Sequence, residues 1–315
     1  MPSSHFLFFI MLFIGRVVIN PIDILTSNLT QRDWIVLSLI RLPRIIISMS
    51  VGAALSISGA TLQGISRNPL VGPEILGVSA GAGFGAALAL LYFEGIIPVQ
   101  IFAFTFGLSA VLLTFLISKS IKSRGNSILV LILSGIAISA VFSAALGILK
   151  YIADPYDKLP AIVFWLLGSF SSASWSDILN VVPMMIGVVS IVLLRWRVNI
   201  LSLGEEEAKT LGVNYGLTRA VLLIAATLAT AAAVAVCGLI SWVGLIVPHI
   251  TRRIVGPDHK ILIPATLSVG AIFMVVCDCL ARSLYSFEVP IGIITSLVGA
   301  PIFLLLLKYG DKRKW

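Results

Sequence analysis

The sequence predicts an all-α polytopic membrane protein of about ten transmembrane helices, one transmembrane domain over residues 1–315. Three observations carry this. First, 58% of the 315 residues are hydrophobic and only 11% are charged, where a soluble domain is nearer a quarter charged, and the mean hydropathy is +1.07. Second, the apolar residues form long uniform runs close to the roughly 20 residues a spanning helix needs, not the short alternating segments of a membrane barrel. Third, the basic residues gather in alternate connections, as a bilayer-crossing chain requires.

The runs place the spans in order at 5–20, 42–65, 75–93, 98–118, 127–149, 178–194, 220–236, 239–251, 261–281 and 290–307. The first lacks a basic lead-in and a small-residue cleavage site, so it reads as a retained span and not a signal peptide. A tight turn, SRNPLVGPE, joins the second and third. Between the fifth and sixth, an amphipathic stretch gives an outer surface helix near 160–176. The boundary between the seventh and eighth is the least defined, because CGLISWVG never turns polar. A polar, charged island, residues 195–219, separates the sixth and seventh spans and holds three consecutive acids, Glu205, Glu206 and Glu207.

With both termini cytoplasmic, the inner connections carry 15 of the 22 basic residues and the outer ones six, with Arg16 in the first span. Acids show the opposite division, so the bias is specific to Lys and Arg, as the positive-inside rule demands. Trp34, Trp165 and Trp175 then fall near the outer interface, Trp196 and Trp315 near the inner one. The net charge of +8 is spread over loops, which excludes a nucleic-acid face. Cys237, Cys277 and Cys279 lie within apolar sequence and read as buried free thiols.

The chain contains no G-x-x-x-x-G-K-[ST] phosphate loop, and no paired acids, histidine cluster or nucleophile arrangement that would make it an enzyme. It carries no cofactor or metal set of its own; His249 has no second ligand at metal spacing. Gly77, Gly81 and Gly85 recur every fourth residue, which favours close helix packing over an anion site at a helix N-terminus. Arg41 and Arg44, in RLPR, sit where a helix begins, with Pro43 suited to the first turn. They suit either an acidic partner outside or lipid head groups. Asp278 is the one acid inside an apolar run, and Arg282, four residues on, is its expected partner. In the island, Glu205 to Leu211 read as a short helix with acids in the first turn, a Glu205–Lys209 pair and a stop at Gly212; a second turn, VNYG, follows. Leu201, Leu203, Leu211 and Val213 form an apolar set with no evident core, which suggests a docked partner over a solvated hairpin.

Several segments together identify the chain with a known family. RLPRIIISMSVGAALSISGATLQGISRNPLVGPEILGVSAGAG (41–83), LSLGEEEAKTLGV (201–213), GLISWVGLIVPHITRR (238–253) and FEVPIGIITSLVGAPIFLLLLKYG (287–310) resemble the FecCD-type permease subunits of type II bacterial ABC importers. The resemblance implies a homodimer with one central pathway in a bacterial or archaeal cytoplasmic membrane, the inner membrane in a Gram-negative cell. It implies two ATP-binding subunits beneath, which bind ATP and Mg, and a periplasmic or lipid-anchored substrate-binding protein outside. The cargo would be an iron–siderophore, haem or cobalamin type metal chelate, or an oxyanion such as molybdate. Residues 199–216 would be the coupling helices, with Leu203, Gly204, Glu205, Glu206, Glu207, Leu211 and Gly212 at the ATPase. Asn68, Pro69 and Leu70 match the cytoplasmic gate, and Arg41, Arg44 and Arg282 match arginines that meet acids of the binding protein. An ion-coupled secondary transporter is the rival; it needs ionisable groups near the midplane, and the sequence offers only Asp278, near one edge.

Overall fold

A computed structural model describes residues 30–121, 127–285 and 287–308. The expected span at 5–20, Trp315 and the basic tail beyond 308 lie outside the described residues. Eleven α-helices are found among the described residues, and no strand. In chain order they are α1 (Gln31–Ser66), α2 (Val78–Tyr92), α3 (Ile96–Ser120), α4 (Ser127–Ile152), α5 (Lys158–Leu166), α6 (Ile178–Leu203), α7 (Glu205–Thr210), α8 (Tyr215–Cys237), α9 (Val243–Val255), α10 (His259–Ser283) and α11 (Ile291–Lys308).

Helix α1 is the axis of the bundle. From Pro43 to Ile65 nearly every residue is buried, as expected of a helix apolar on all sides. It begins earlier than the sequence suggests. Thr30 and Asp33 form a reciprocal capping box, and the helix runs on through a π-helical stretch, Val36–Arg41, before Pro43. Pro43 therefore lies inside a continuous helix, not at its first turn. A proline there cannot donate to the carbonyl four residues back and crowds it, and the wider π turn accommodates both effects. Small residues let other backbones reach α1. A Cβ on Gly52 would overlap the Gly270 carbonyl of α10, and one on Gly59 would overlap the Gly244 carbonyl of α9.

Of the helices too short to span, α2 and α9 start within the bundle. After α1 ends, the chain turns back and a 3₁₀ turn, Pro73–Leu76, leads into α2. A Cβ on Gly244 would lie 2.7 Å from Pro73 Cδ and 3.0 Å from the Leu55 carbonyl oxygen. Pro73 is thus level with Leu55, roughly 16 Å above the cytoplasmic end of α1 at 1.5 Å per residue. The 15-residue α2 completes the crossing from there. Residues 238–242 likewise carry the chain inward before the 13-residue α9 returns to the cytoplasmic side.

The packing glycines also divide. Gly81 and Gly85 face the α3 backbone at Phe106 and Phe102, but Gly77 is a left-handed residue (φ +89°) at the start of α2 and faces α4. The surface helix expected over 160–176 ends at Leu166. Left-handed Gly168 (φ +72°) then turns the chain, and its carbonyl and that of Leu167 accept from Ile291 and Gly292 at 3.0 Å each, while Ser169 donates to Cys237 at 2.8 Å. This junction holds α5 partly buried against α2 and ties it to α8 and α11. The three cysteines are buried and free.

Candidate functional site

The candidate residues gather at two ends of the bundle. At the outer end α1 meets α10. Arg44 donates from Nη2 and Nε to Asp278 at 2.8 and 3.0 Å, and from Nη1 to Glu288 at 3.0 Å. Arg282, one turn beyond Asp278, pairs with it at 3.3 Å. Arg41 lies in the electrostatic neighbourhood of Arg282. The apolar faces of α1 and α10 bring these groups together, since Arg44 projects from the same packed segment as Ile45 and Ile47.

This corrects the expected exposure of the arginines. Arg41, Arg44 and Arg282 are 4%, 6% and 7% exposed, so they do not form an open docking patch in this chain. A buried guanidinium must be paired and hydrogen-bonded, and two carboxylates meet that need for Arg44. Asp278 does pair with Arg282, but its closer partner is Arg44, which sequence spacing could not show across 234 residues. Glu288 was not singled out in the sequence; its side chain is 32% exposed and makes the cluster's outer edge.

The inner end is built on α6, α7 and α8. The charged island is not a separate segment: α6 runs helically through Leu203, and α8 already starts at Tyr215, capped by Asn214. Only Glu205–Thr210 stands as a distinct helix, and VNYG is no second turn. Gly204 (φ +135°) breaks the chain before α7, and Gly212 (φ +73°) stops it. Glu205 and Lys209 pair at 2.8 Å; the hydrogen bond and charge of Glu205 hold the Lys209 ammonium above its ordinary range. The apolar set is also split. Leu201 is fully buried in the core and Val213 packs against it, whereas Leu203 and Leu211 remain 54% and 56% exposed. Leu201 is buried because it belongs to α6, two residues inside its end.

Beside α7 lies the turn after α1. Asn68 Oδ1 accepts from the Leu70 amide at 2.9 Å, which fixes a tight turn with Leu70 51% exposed. Two contacts tie this end together. Arg67 Nη1 donates to the Leu203 carbonyl at 3.2 Å. Asn199 Nδ2 donates to Asp258 at 2.6 Å while its oxygen accepts from the His259 amide at 2.8 Å, joining α6 to the start of α10. The backbone N–H of Lys260, and then Asn199, hold Asp258 below the usual carboxylate range.

Asp278 is not the only acid within the packed bundle. Asp177 is 7% exposed and accepts from Gln100 at 2.8 Å, and Glu74 accepts from the Trp242 backbone amide. Glu74 was hidden because SRNPLVGPE reads as a surface turn. Among the described residues, no three His, Cys, Asp or Glu side chains come together as a metal site.

The model of the FecCD transport family matches residues 4–309. The molybdate import permease MolB of Haemophilus influenzae is 44% identical over 87% of this chain and 81% of that protein. The iron(3+)-hydroxamate import permease FhuG of Bacillus subtilis is 38% identical over 95% and 92%. A solved metal-chelate type ABC transporter in an inward-facing conformation is 41% identical, covers 97% of both chains and superposes with a TM-score of 0.88.

Proposed function

The chain belongs to the FecCD transport family, and from that premise we propose that two copies of it form the pathway of an ATP-driven importer for metal chelates of the iron–siderophore, haem or cobalamin type. It is a multi-pass permease subunit of the cytoplasmic membrane, and this sets aside ion-coupled secondary transport. The observation that carries the finer reading is α7. A six-residue helix with three acids in its first turn is set between two spans, with Leu203 and Leu211 more than half exposed beside it. A separate ATPase subunit covers those leucines, binds ATP and Mg, and drives α7. Leu203, Gly204, Glu205, Glu206, Glu207, Leu211 and Gly212 form this contact.

Movement of α7 shifts the turn at Asn68, Pro69 and Leu70 between open and closed states, a two-state element biased by nucleotide. Outside, a substrate-binding protein presents a carboxylate to Arg41, Arg44 and Arg282. Because Arg44 is already satisfied, that carboxylate takes the place of Glu288, the exposed partner, and leaves the Asp278 pair intact. The 44% identity to a molybdate permease favours one second reading, an oxyanion as cargo.

Reconstitution of the permease with its ATPase and binding protein tests this. Uptake of a ferric hydroxamate, haem or cobalamin that depends on ATP and is lost when Glu205, Glu206 and Glu207 are all replaced by Lys supports the metal-chelate reading. Uptake of molybdate alone transfers the assignment to oxyanions. Full uptake in the charge-reversed variant removes α7 from coupling.

A further inference from the structure

We propose that Arg67 is the pin that carries movement of α7 to the cytoplasmic gate turn. The proposal rests on α7 as the coupling helix and on 68–70 as the gate, and adds a positioning residue between them. Arg67 has a left-handed backbone (φ +50°) directly after α1. That conformation suits Gly or Asn, and a long side chain adopts it less readily. Its own amide already caps α1 through the Gln63 and Gly64 carbonyls, so the backbone does not need a guanidinium there.

The guanidinium reaches across to the other helix. Nη1 donates to the Leu203 carbonyl at 3.2 Å, at the C-terminal end of α6, where the last carbonyls lack helical partners and the dipole favours a cation. A Cβ on Gly204 would lie 3.4 Å from Arg67 Nη1 and 2.5 Å from Glu207 Oε2. The Arg67 guanidinium and the Glu207 carboxylate therefore both lie beside Gly204, whose positive φ (+135°) disfavours a side chain there. Asn68, Pro69 and Leu70 follow Arg67 with no intervening residue, and Asn68 fixes the turn by accepting from Leu70. One side chain thus joins the last residue of α6, two positions before α7, to the residue before the gate.

The test reads the gate directly. In the complete transporter, Leu70→Cys is labelled with a membrane-impermeant maleimide, with and without ADP and vanadate; Cys237, Cys277 and Cys279 are buried and give little background. With Arg67 present, nucleotide should change the labelling rate by at least about fivefold, the lower end of ordinary coupling between two sites. Arg67→Asn, and Arg67→Gly as the second variant, suit the left-handed backbone and remove the pin. Either should bring the nucleotide effect below about twofold while basal ATPase activity and assembly persist, and Arg67→Lys, which keeps a cationic donor, should restore part of it. A nucleotide effect in both variants as large as with Arg67 overturns the proposal, as does loss of assembly in both, which would make Arg67 structural. If labelling ignores nucleotide even with Arg67 in place, the gate assignment itself fails.

Discussion

The outer and inner ends of the bundle are fastened by different chemistry. Outside, α1 and α10 are locked by Arg44, Asp278 and Arg282, all less than 10% exposed and joined by several short hydrogen bonds. Inside, the end of α6 is tied to its neighbours near the surface, by Arg67 to Leu203 and by Asn199 to Asp258 and His259, and α7 buries only Ala208 and carries its exposed ion pair within itself. Buried pairs lose much stability when broken, because one charge is left without a partner; exposed pairs contribute little, because water and salt replace the partner. The molecule is therefore stiff where it would receive cargo and pliant where an ATPase would push. A transporter needs a yielding element on the motor side, and a rigid lock between α1 and α10 lets movement at one end travel along whole helices.

The largest effect that would test this contrast is at Asp278. Asp278→Asn removes a charge from beneath Arg44 and Arg282. We expect a loss of about 3 kcal/mol, the lower end for a broken buried pair because Glu288 still holds Nη1, read as a fall in unfolding temperature of the purified chain. A change near zero would mean that the outer lock contributes no rigidity, and the comparison between the ends would collapse.

Glu288→Gln acts on the same cluster without disturbing its base. Loss of this partly exposed carboxylate leaves Arg44 on Asp278 and opens Nη1 to an incoming acid. The binding protein should dock about tenfold more tightly, equivalent to about 1.4 kcal/mol, by titration at low salt where exposed electrostatics are least screened. Unchanged or weaker docking would separate Glu288 from the docking surface and make the cluster purely structural.

How far the sequence reached also differs between the ends. The apolar runs within the described residues, the short helix of the island, the stop at Gly212 and the Glu205–Lys209 pair were legible, because each is a local pattern in hydropathy or in i, i+4 spacing. What local patterns could not give was depth and partnership. Pro73 reads as a surface turn and lies level with Leu55, because nothing within SRNPLVGPE records that the chain re-enters the bundle. Arg44 and Asp278 are adjacent only once α1 and α10 pack at Gly52 and Gly270, so the expected surface arginines were misplaced. Leu201 looked free because the end of α6 was set at the first charged residue, Arg195. The helix continues past it since Arg, Trp and Leu are compatible with a helix leaving the membrane. Gly77 fitted a four-residue stripe by spacing, yet its positive φ belongs to a turn.

The smallest effect belongs to α7. Lys209 and Glu205 are 64% and 54% exposed at their side chains, and a helix of six residues has little stability of its own. Lys209→Ala should therefore cost about 0.3–0.5 kcal/mol, the ordinary value of an exposed i, i+4 pair. The loss should vanish in about 1 M salt, where the screening length is near 3 Å. Unfolding temperatures of the isolated permease at low and high salt measure it. The sign of the salt response matters more than its size. If the loss persists at high salt, or exceeds about 2 kcal/mol, more than exposed pairs contribute, then α7 is held by packing inside the chain. It would then be a fixed part of the bundle and could not yield to a partner. A small, salt-sensitive loss leaves α7 docked on the bundle chiefly through buried Ala208, free to be repositioned by whatever covers Leu203 and Leu211.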